Sequence, residues 1–487
     1  MMTWETVIGL EVHVELATKT KMFCGCSAAF GGAPNTHCCP VCMGLPGSLP
    51  VINGEAVRLA IRAALVLGCR ITENTRFDRK NYFYPDLPKA YQISQLYSPL
   101  GRDGALVIDL GEAGKKTVRI HEIHMEEDAG KLIHAADRPE TYADFNRCGV
   151  PLIEIVSEPD FRTAEEVSAY LMRLCDMFRY ADISDCKMQE GSLRADVNIS
   201  VRPMGEDCLG TRTELKNLNS FKAIERAIAY ESARQIRVIE QGGEVVQETR
   251  RWDDVAGVSL GMRSKENAQD YRYFPEPDLP PLRISAETVE ELRASLPEFA
   301  HERVERFGKE YGISAYDAGV LCAARSFADL FEATVRAGAD AKSCANWMLG
   351  PVRKRLNDVG ASEASIRLSP AAFAALIERV AEKRINRAAA ITLLEELLLS
   401  EQGMGADIDA LIAERGLAQI SDGGAVAQAV EDVFARNPAA IADYRAGKKR
   451  AEGFLIGQTM KAMGGRADPA AVKTAVGEAL RRLSEDK

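Results

Sequence analysis

The chain has 487 residues, 61 Lys+Arg against 71 Asp+Glu for a formal net charge of −10, 12 Cys and 6 His. At about 150 residues per domain, that length predicts roughly three domains, each able to bury a core. Hydrophobic content of 46% with 27% charged residues excludes a disordered or fibrous chain, and the acidic balance argues against indiscriminate nucleic-acid binding without excluding a local basic site.

No run of about 18 apolar residues occurs, and the N-terminal stretch MMTWETVIGLEVH is charged where a signal peptide needs an apolar core. A cytoplasmic protein without a membrane span is expected. Cysteines in that compartment stay reduced, so clustered ones point to a metal rather than to disulfides.

The first predicted strand is Ile8 to Leu16. Ile8, Leu10, Val12, Val14 and Leu16 share one face, and Glu11, His13 and Glu15 share the other. Two carboxylates and an imidazole in a row offer oxygen and nitrogen ligands to a hard cation, although a solvated strand face reads the same way. Next come Cys24-x-Cys26 and Cys39-x-x-Cys42, with Gly25, Pro40 and Gly44 supplying turns. Two short-spaced thiol pairs predict a closed, structural zinc knuckle, with His37 and Cys38 as alternative ligands in register. The segment 77–92 then interleaves cations with aromatics, a mix suited to nucleotide or RNA-end contact or to a lined polar passage.

Three further polar clusters follow: Val118 to Gly130, Gly191 to Val201, and Thr211 to Asn217 around Glu214. Strands that each offer a carboxylate could converge on a metal that binds phosphate oxygens; edge-strand solubility is the competing explanation. No phosphate-binding loop and no dinucleotide fingerprint occur, and GEAGKKT (111–117) has the wrong spacing for the former. Gly257-Val258-Ser259-Leu260-Gly261 matches a nucleophile elbow, but it follows the polar RRWDDVA rather than an apolar strand and reads as chance.

From about residue 290 the texture changes to Ala, Leu, Glu and Arg with apolar residues at helical spacing, and GMGAD (403–407) reads as a hinge. The expected class is α+β: a large β-rich domain over 1–290, a helical domain over 291–404 and a helical tail over 405–487. The tail carries the basic patch that the net charge hides, Arg445, Lys448, Lys449 and Arg450, then Lys461 and Arg466.

VIGLEVHVEL (7–16), FDRKNYFYPDLPKAYQISQ (77–95), HMEEDAGK (124–131), PLIEIVSEPD (151–160), EGSLRADVNIS (190–200), TELKNLNSF (213–221), DYRYFPEPDLPPL (270–282) and GQTMKAMGGRADP (457–469) together resemble the B subunits of tRNA-dependent amidotransferases, over essentially the whole chain. The resemblance implies a cradle domain followed by helical and tail domains that hold tRNA. It implies ATP- and Mg2+-dependent phosphorylation of the side-chain carboxylate of Glu-tRNA(Gln), Asp-tRNA(Asn) or both. A partner amidase would supply ammonia through a channel, and a small third subunit would clamp the pair.

By the same resemblance, Glu11, His13, Glu126, Asp196 and Glu214 form the Mg2+ set, with Glu127 a neighbour and Mn2+ tolerated by the imidazole. Glu126, Lys80 and His13 carry the catalytic role. Lys80, Tyr82, Lys89 and Tyr91 line the ammonia passage, and Arg445, Lys448, Lys449 and Arg450 meet tRNA. Cys24, Cys26, Cys39 and Cys42 hold a structural Zn2+ found in only part of the family. Two other readings stay open on the residues alone, a metal-dependent nuclease and a non-catalytic zinc-containing RNA-binding scaffold.

Overall fold

The computed structural model describes residues 3–135, 137–264, 268–419, 423–448 and 450–485. The fold is α+β, and the chain divides into two compact units, Met1–Pro297 and Glu298–Lys487.

The first unit is built on a nine-stranded sheet. Its strands, with two of a smaller sheet, are β1 (Trp4–Glu15), β2 (Arg70–Ile71), β3 (Asp78–Asn81), β4 (Tyr91–Ser94), β5 (Gly101–Asp109), β6 (Lys115–Glu127), β7 (Pro151–Ser157), β8 (Leu193–Pro203), β9 (Thr213–Lys216), β10 (Glu248–Asp253) and β11 (Val258–Ser264). The large sheet runs β11-β10-β9-β8-β1-β7-β6-β5-β2. Every neighbouring pair is antiparallel except β9–β10.

β1 lies at the centre, which its alternation explains. Leu10, Val12 and Val14 are buried, whereas Glu11, His13 and Glu15 are half-buried on the opposite face. Three helices bury the apolar side: α1 (Gly54–Val66), α2 (Ala164–Tyr180) and α3 (Phe221–Glu240). Each begins at a side-chain cap, Asn53, Thr163 and Ser220, whose oxygen accepts orphan N–H groups of the first turn. Phe161, Tyr170 and Phe178 fill the interior, with the Phe161 and Tyr170 rings edge to face at 5.2 Å.

The segment 77–95 forms a hairpin of β3 and β4, extended by β12 (Phe274–Pro275) on the far side of β3. It is tied to β6 through Ile93 N–H, which donates to Glu127 Oε1 at 3.0 Å, and Met125 N–H, which donates to Gln95 Oε1 at 2.9 Å. The segment expected to line a passage is therefore fixed against the strand that carries Glu126 and Glu127.

The second unit is helical among its described residues. One buried cluster runs from Phe307 to Ile412 around Phe327, Phe331, Trp347 and Phe373. A separate one runs from Val426 to Leu480 around Leu455, Val472 and Val476. GMGAD (403–407) lies at the end of the first cluster. Glu401–Gly405 is a 3-10 turn in which Gly403 is buried and its carbonyl accepts from Ser369 N–H at 3.0 Å. No described helix is long and apolar enough to cross a membrane.

Candidate functional site

Strand register assembles the polar face. His13 stands opposite Arg194 on β8 and opposite Glu154 on β7, and Glu154 stands opposite His124 on β6. One row across four strands therefore reads Arg194, His13, Glu154, His124. Two neighbouring rows on the same face pair Glu11 with Asp196 and, two residues further along β8, Asn198 with Glu214. Glu11, His13, His124, Glu154, Glu214, Lys216 and Lys80 all line one cavity of about 600 Å3.

The five residues expected as one cation set fall into two groups. His13 and Glu126 join Glu154, and Glu11 joins Asp196 and Glu214; within each group the ligand atoms lie within 4.8 Å of one another. In the first, His13 Nε2 stands 3.4 Å from Glu154 Oε2 and 3.6 Å from Glu126 Oε1. His124 Nε2 stands 3.1 Å from the same Glu154 oxygen and 3.7 Å from Glu126 Oε2. Glu126 Oε2 also accepts from Ser94 Oγ at 3.1 Å.

Burial works against charge on both imidazoles, but Glu154 and Glu126 outweigh it, raising His13 and pushing His124 up to about 10. Burial likewise opposes ionisation of the carboxylates, and the imidazoles hold Glu126 low and Glu154 lower still. The carboxylate oxygens suit a hard divalent cation, whereas an imidazole among them is unusual for Mg2+, is tolerated by Mn2+ and donates only after losing its proton.

In the second group Asn198 Nδ2 donates to Glu11 Oε1 at 2.9 Å, Thr249 Oγ1 to Glu214 Oε2 at 2.7 Å and Lys216 Nζ to Asp196 Oδ2 at 2.7 Å. Among the described residues the buried Asn198 Oδ1 has no hydrogen-bond partner. These are all-oxygen donors, the chemistry of a hard divalent cation.

Glu154 and His124 lie within PLIEIVSEPD and HMEEDAGK, yet nothing in the sequence alone singles them out. Their signal is the same alternation that marks His13, on strands whose adjacency the sequence does not state.

The expected passage residues divide by face. Lys80 is held over the rings of Tyr271 at 5.1 Å and Tyr82 at 6.0 Å, where burial opposes its charge but Glu126 raises its pKa. Lys89 pairs instead with Glu127, beneath Tyr91 at 5.3 Å, in a separate cavity of about 60 Å3 shared with Cys24 and Cys42. Glu126 and Glu127, consecutive on β6, thus point to opposite faces.

The thiols of Cys24, Cys26, Cys39 and Cys42 lie within 4.8 Å of one another, with Cys39 and Cys42 Sγ at 3.9 Å. Tetrahedral zinc with bonds of about 2.3 Å sets its sulfurs about 3.8 Å apart, so the set fits. Cys38 stands outside it, 4.0 Å from Asn146 Oδ1. The Cys24 thiol, with Cys39 N–H and the fully buried Lys21 ammonium, draws Cys42 down to about 4 against burial. Gly44, at φ +64, completes the turn, and a Cβ there would lie 2.4 Å from Lys89 Cγ.

Glu15 has a different fate from its neighbours on β1. Burial, then the charge of Asp128, pushes it up to about 8, while Arg194 and Arg147 hold Asp128 ionised against its own burial. A carboxyl whose folded pKa is raised contributes stability at pH below its ordinary 4.5 and loses it as pH rises through about 8. Glu15→Gln is therefore expected to gain stability over the parent at pH 9 and to show no gain at pH 5. Urea midpoints at the two pH values check this, and equal offsets would refute the assignment.

In the tail, Arg445 donates to Leu483 O at 2.8 Å and Lys448 Nζ stands 2.9 Å from Asp443 Oδ1. Arg450 and Lys461 are exposed, and Arg466 donates to Gly416 O at 3.0 Å. Lys449 lies outside the described residues.

Residues 6–290 match the GatB/GatE catalytic domain family, and residues 329–480 match the GatB domain family. A Lachnoclostridium phytofermentans protein is 53% identical over 482 residues, covering 99% of this chain and 100% of its own. A Lachnospira eligens protein is 53% identical over 487 residues, and one from Caldicellulosiruptor bescii is 50% identical over 485, each with 99% and 100% coverage. All three are named as the B subunit of aspartyl/glutamyl-tRNA(Asn/Gln) amidotransferase. The class is that of catalytic subunits of tRNA-amidating ligases. Within it, the chain belongs to the family of aspartyl/glutamyl-tRNA(Asn/Gln) amidotransferase B subunits.

Proposed function

We propose that this chain phosphorylates the side-chain carboxylate of Glu-tRNA(Gln), Asp-tRNA(Asn) or both with ATP, and amidates the acyl phosphate with ammonia. The observation that carries the reading is the pair of donor groups, His13/Glu126/Glu154 and Glu11/Asp196/Glu214, on one sheet face beside one cavity. A carboxylate is a poor electrophile until it gains a phosphate leaving group, and that step brings two anions together. Mg2+ held by these residues would screen that charge.

The chain's own groups do the rest. Lys80, a half-buried ammonium at the cavity wall, orients the anionic substrate. Nitrogen that adds to an acyl phosphate sheds a proton, and the ionised Glu126 is the acceptor we assign. His13 and His124 hold Glu126 and Glu154 in register. We assign Lys80 and Tyr82 to the end of the ammonia passage at the large cavity and Lys89 and Tyr91, in the small cavity on the other face, to the stretch that leads to it, where exclusion of water keeps ammonia unprotonated.

The Cys24/Cys26/Cys39/Cys42 set holds structural Zn2+. The tail over 405–487 meets the tRNA backbone through Arg445, Lys448, Lys449 and Arg450, which positions it without reading sequence. The chain works in the cytoplasm as the B subunit of a heterotrimer, with a glutamine-hydrolysing amidase and a small third subunit as partners.

The test incubates the three subunits with Glu-tRNA(Gln), labelled ATP, Mg2+ and glutamine. ADP and Gln-tRNA are expected, with neither formed when the chain is omitted. Shortened RNA would replace the reading with a nuclease, and bound RNA without turnover would replace it with a scaffold.

A further inference from the structure

Lys216 ends β9, and its ammonium stands 2.7 Å from Asp196 Oδ2 and 3.3 Å from Glu214 Oε1. Those are two of the three carboxylates whose oxygens lie within 4.8 Å of one another; the third is Glu11. Three like charges so close need compensation, and Lys216 supplies one positive charge. These carboxylates have lone pairs to spare, but a divalent cation among them repels an ammonium held as close as this one. Cation and ammonium therefore compete for the group.

The rest of the group is ready for more than a lysine. The Asn198 amide is fixed on Glu11, yet its other polar atom, Oδ1, is buried and unpartnered. Among the described residues that acceptor is unmet, and Asn198 lies with Glu11 on a second cavity of about 170 Å3, where a water or an ion is the missing partner a buried acceptor calls for.

Lys216 itself is not built in. Its side chain is 43% exposed, and among the described residues its acceptors are only these carboxylates. It lines the large cavity with Tyr271, Tyr273 and Thr249, on a flexible four-carbon stem. Lys80, by contrast, is held between aromatic rings.

We propose that Lys216 is a place-holding ammonium that neutralises Asp196 and Glu214 while the Glu11 group is empty, leaves when a divalent cation arrives, and then pairs with the phosphate oxygens of the nucleotide in the same cavity. The inference rests on the cation reading of this group. It ties cation arrival to the appearance of a positive charge for phosphate, so the two ligands favour one another's binding.

The test uses the full chain, Mn2+ as the cation and a non-hydrolysable ATP analogue. Amine acylation read by mass spectrometry reports Lys216 in three states. It should be protected without metal, several-fold more reactive with Mn2+, and protected again when the analogue is added. Lys309, 79% exposed on the helical unit, is the control that stays constant.

In parallel, Lys216→Met should bind Mn2+ at the Glu11 group about tenfold more tightly by spin resonance and bind the analogue more weakly, because the competitor and the phosphate partner are the same ammonium. Lys216→Arg should restore analogue binding in part. Mn2+ bound at that group with unchanged Lys216 reactivity would overturn the inference and leave the cation reading standing. So would Mn2+ affinity in Lys216→Met equal to or weaker than the parent's. No Mn2+ at that group would overturn both.

Discussion

Glu154→Gln is expected to lower tRNA-dependent ADP formation by about 10³-fold or more, the scale of removing a charged group aimed at a reacting phosphoryl centre. One Glu154 oxygen faces both His13, at 3.4 Å, and His124, at 3.1 Å, and the same carboxylate belongs to the His13/Glu126/Glu154 group. Gln keeps the shape but removes the anion, so the group loses one cation donor and both imidazoles lose the partner that holds them charged. The control lies four residues away: Glu158 meets His121 at 2.9 Å in an exposed pair, and Glu158→Gln should keep parental turnover. Circular dichroism separates loss of chemistry from loss of fold. A folded Glu154→Gln enzyme that retains more than a tenth of parental turnover would remove Glu154 from the reaction.

The double substitution Cys24→Ser with Cys42→Ser should release bound zinc and lower the melting temperature of the first unit by about 10 °C, from the loss of several kcal/mol of metal-linked folding energy. The cause is local. Three residues crowd Cys42: the Cys24 thiol, the Cys39 N–H at 3.2 Å and the buried Lys21 ammonium at 3.6 Å. Together they favour a thiolate, which is the ligand a zinc ion would need and serine does not supply. In the double variant the buried Lys21 loses the Cys42 thiolate and keeps, among the described residues, the His37 and Phe145 carbonyls, at 2.6 and 3.4 Å. Cys38→Ser should keep both zinc and melting temperature, since Cys38 stands outside the four-thiol set. Metal analysis and a thermal scan of the three proteins decide the ligand set, and full zinc in the double variant would refute it.

The sequence carries the faces of strands but not their neighbours. Period-two alternation on β1 is enough to set Glu11 and His13 against Leu10 and Val12, because a half-buried strand leaves no other arrangement. It does not say that Glu154 stands opposite His13, since pairing depends on which strands lie side by side and in what register. For that reason the carboxylates read as one converging set, whereas register divides them between two groups two residues apart along β1. The cysteine spacing is more informative, because two short-spaced pairs limit where four sulfurs can go. Even there, the choice between Cys38 and Cys39 rests on backbone conformation that spacing does not encode. The basic residues of the tail are visible as letters, but the intramolecular bonds of Arg445 and Lys448 are not.

Glu126 and Glu127 share a peptide bond and face opposite cavities, one toward the histidines and the other toward Lys89 and the cysteine loop. Neighbouring side chains on a strand cannot be turned independently: a roll of β6 that draws one inward drives the other outward. The two cavities therefore share a pivot, and a change made for one is felt in the other. A Glu127 variant is consequently a two-cavity experiment, and its kinetics carry meaning only when read beside a variant of Lys89, whose side chain touches one cavity alone.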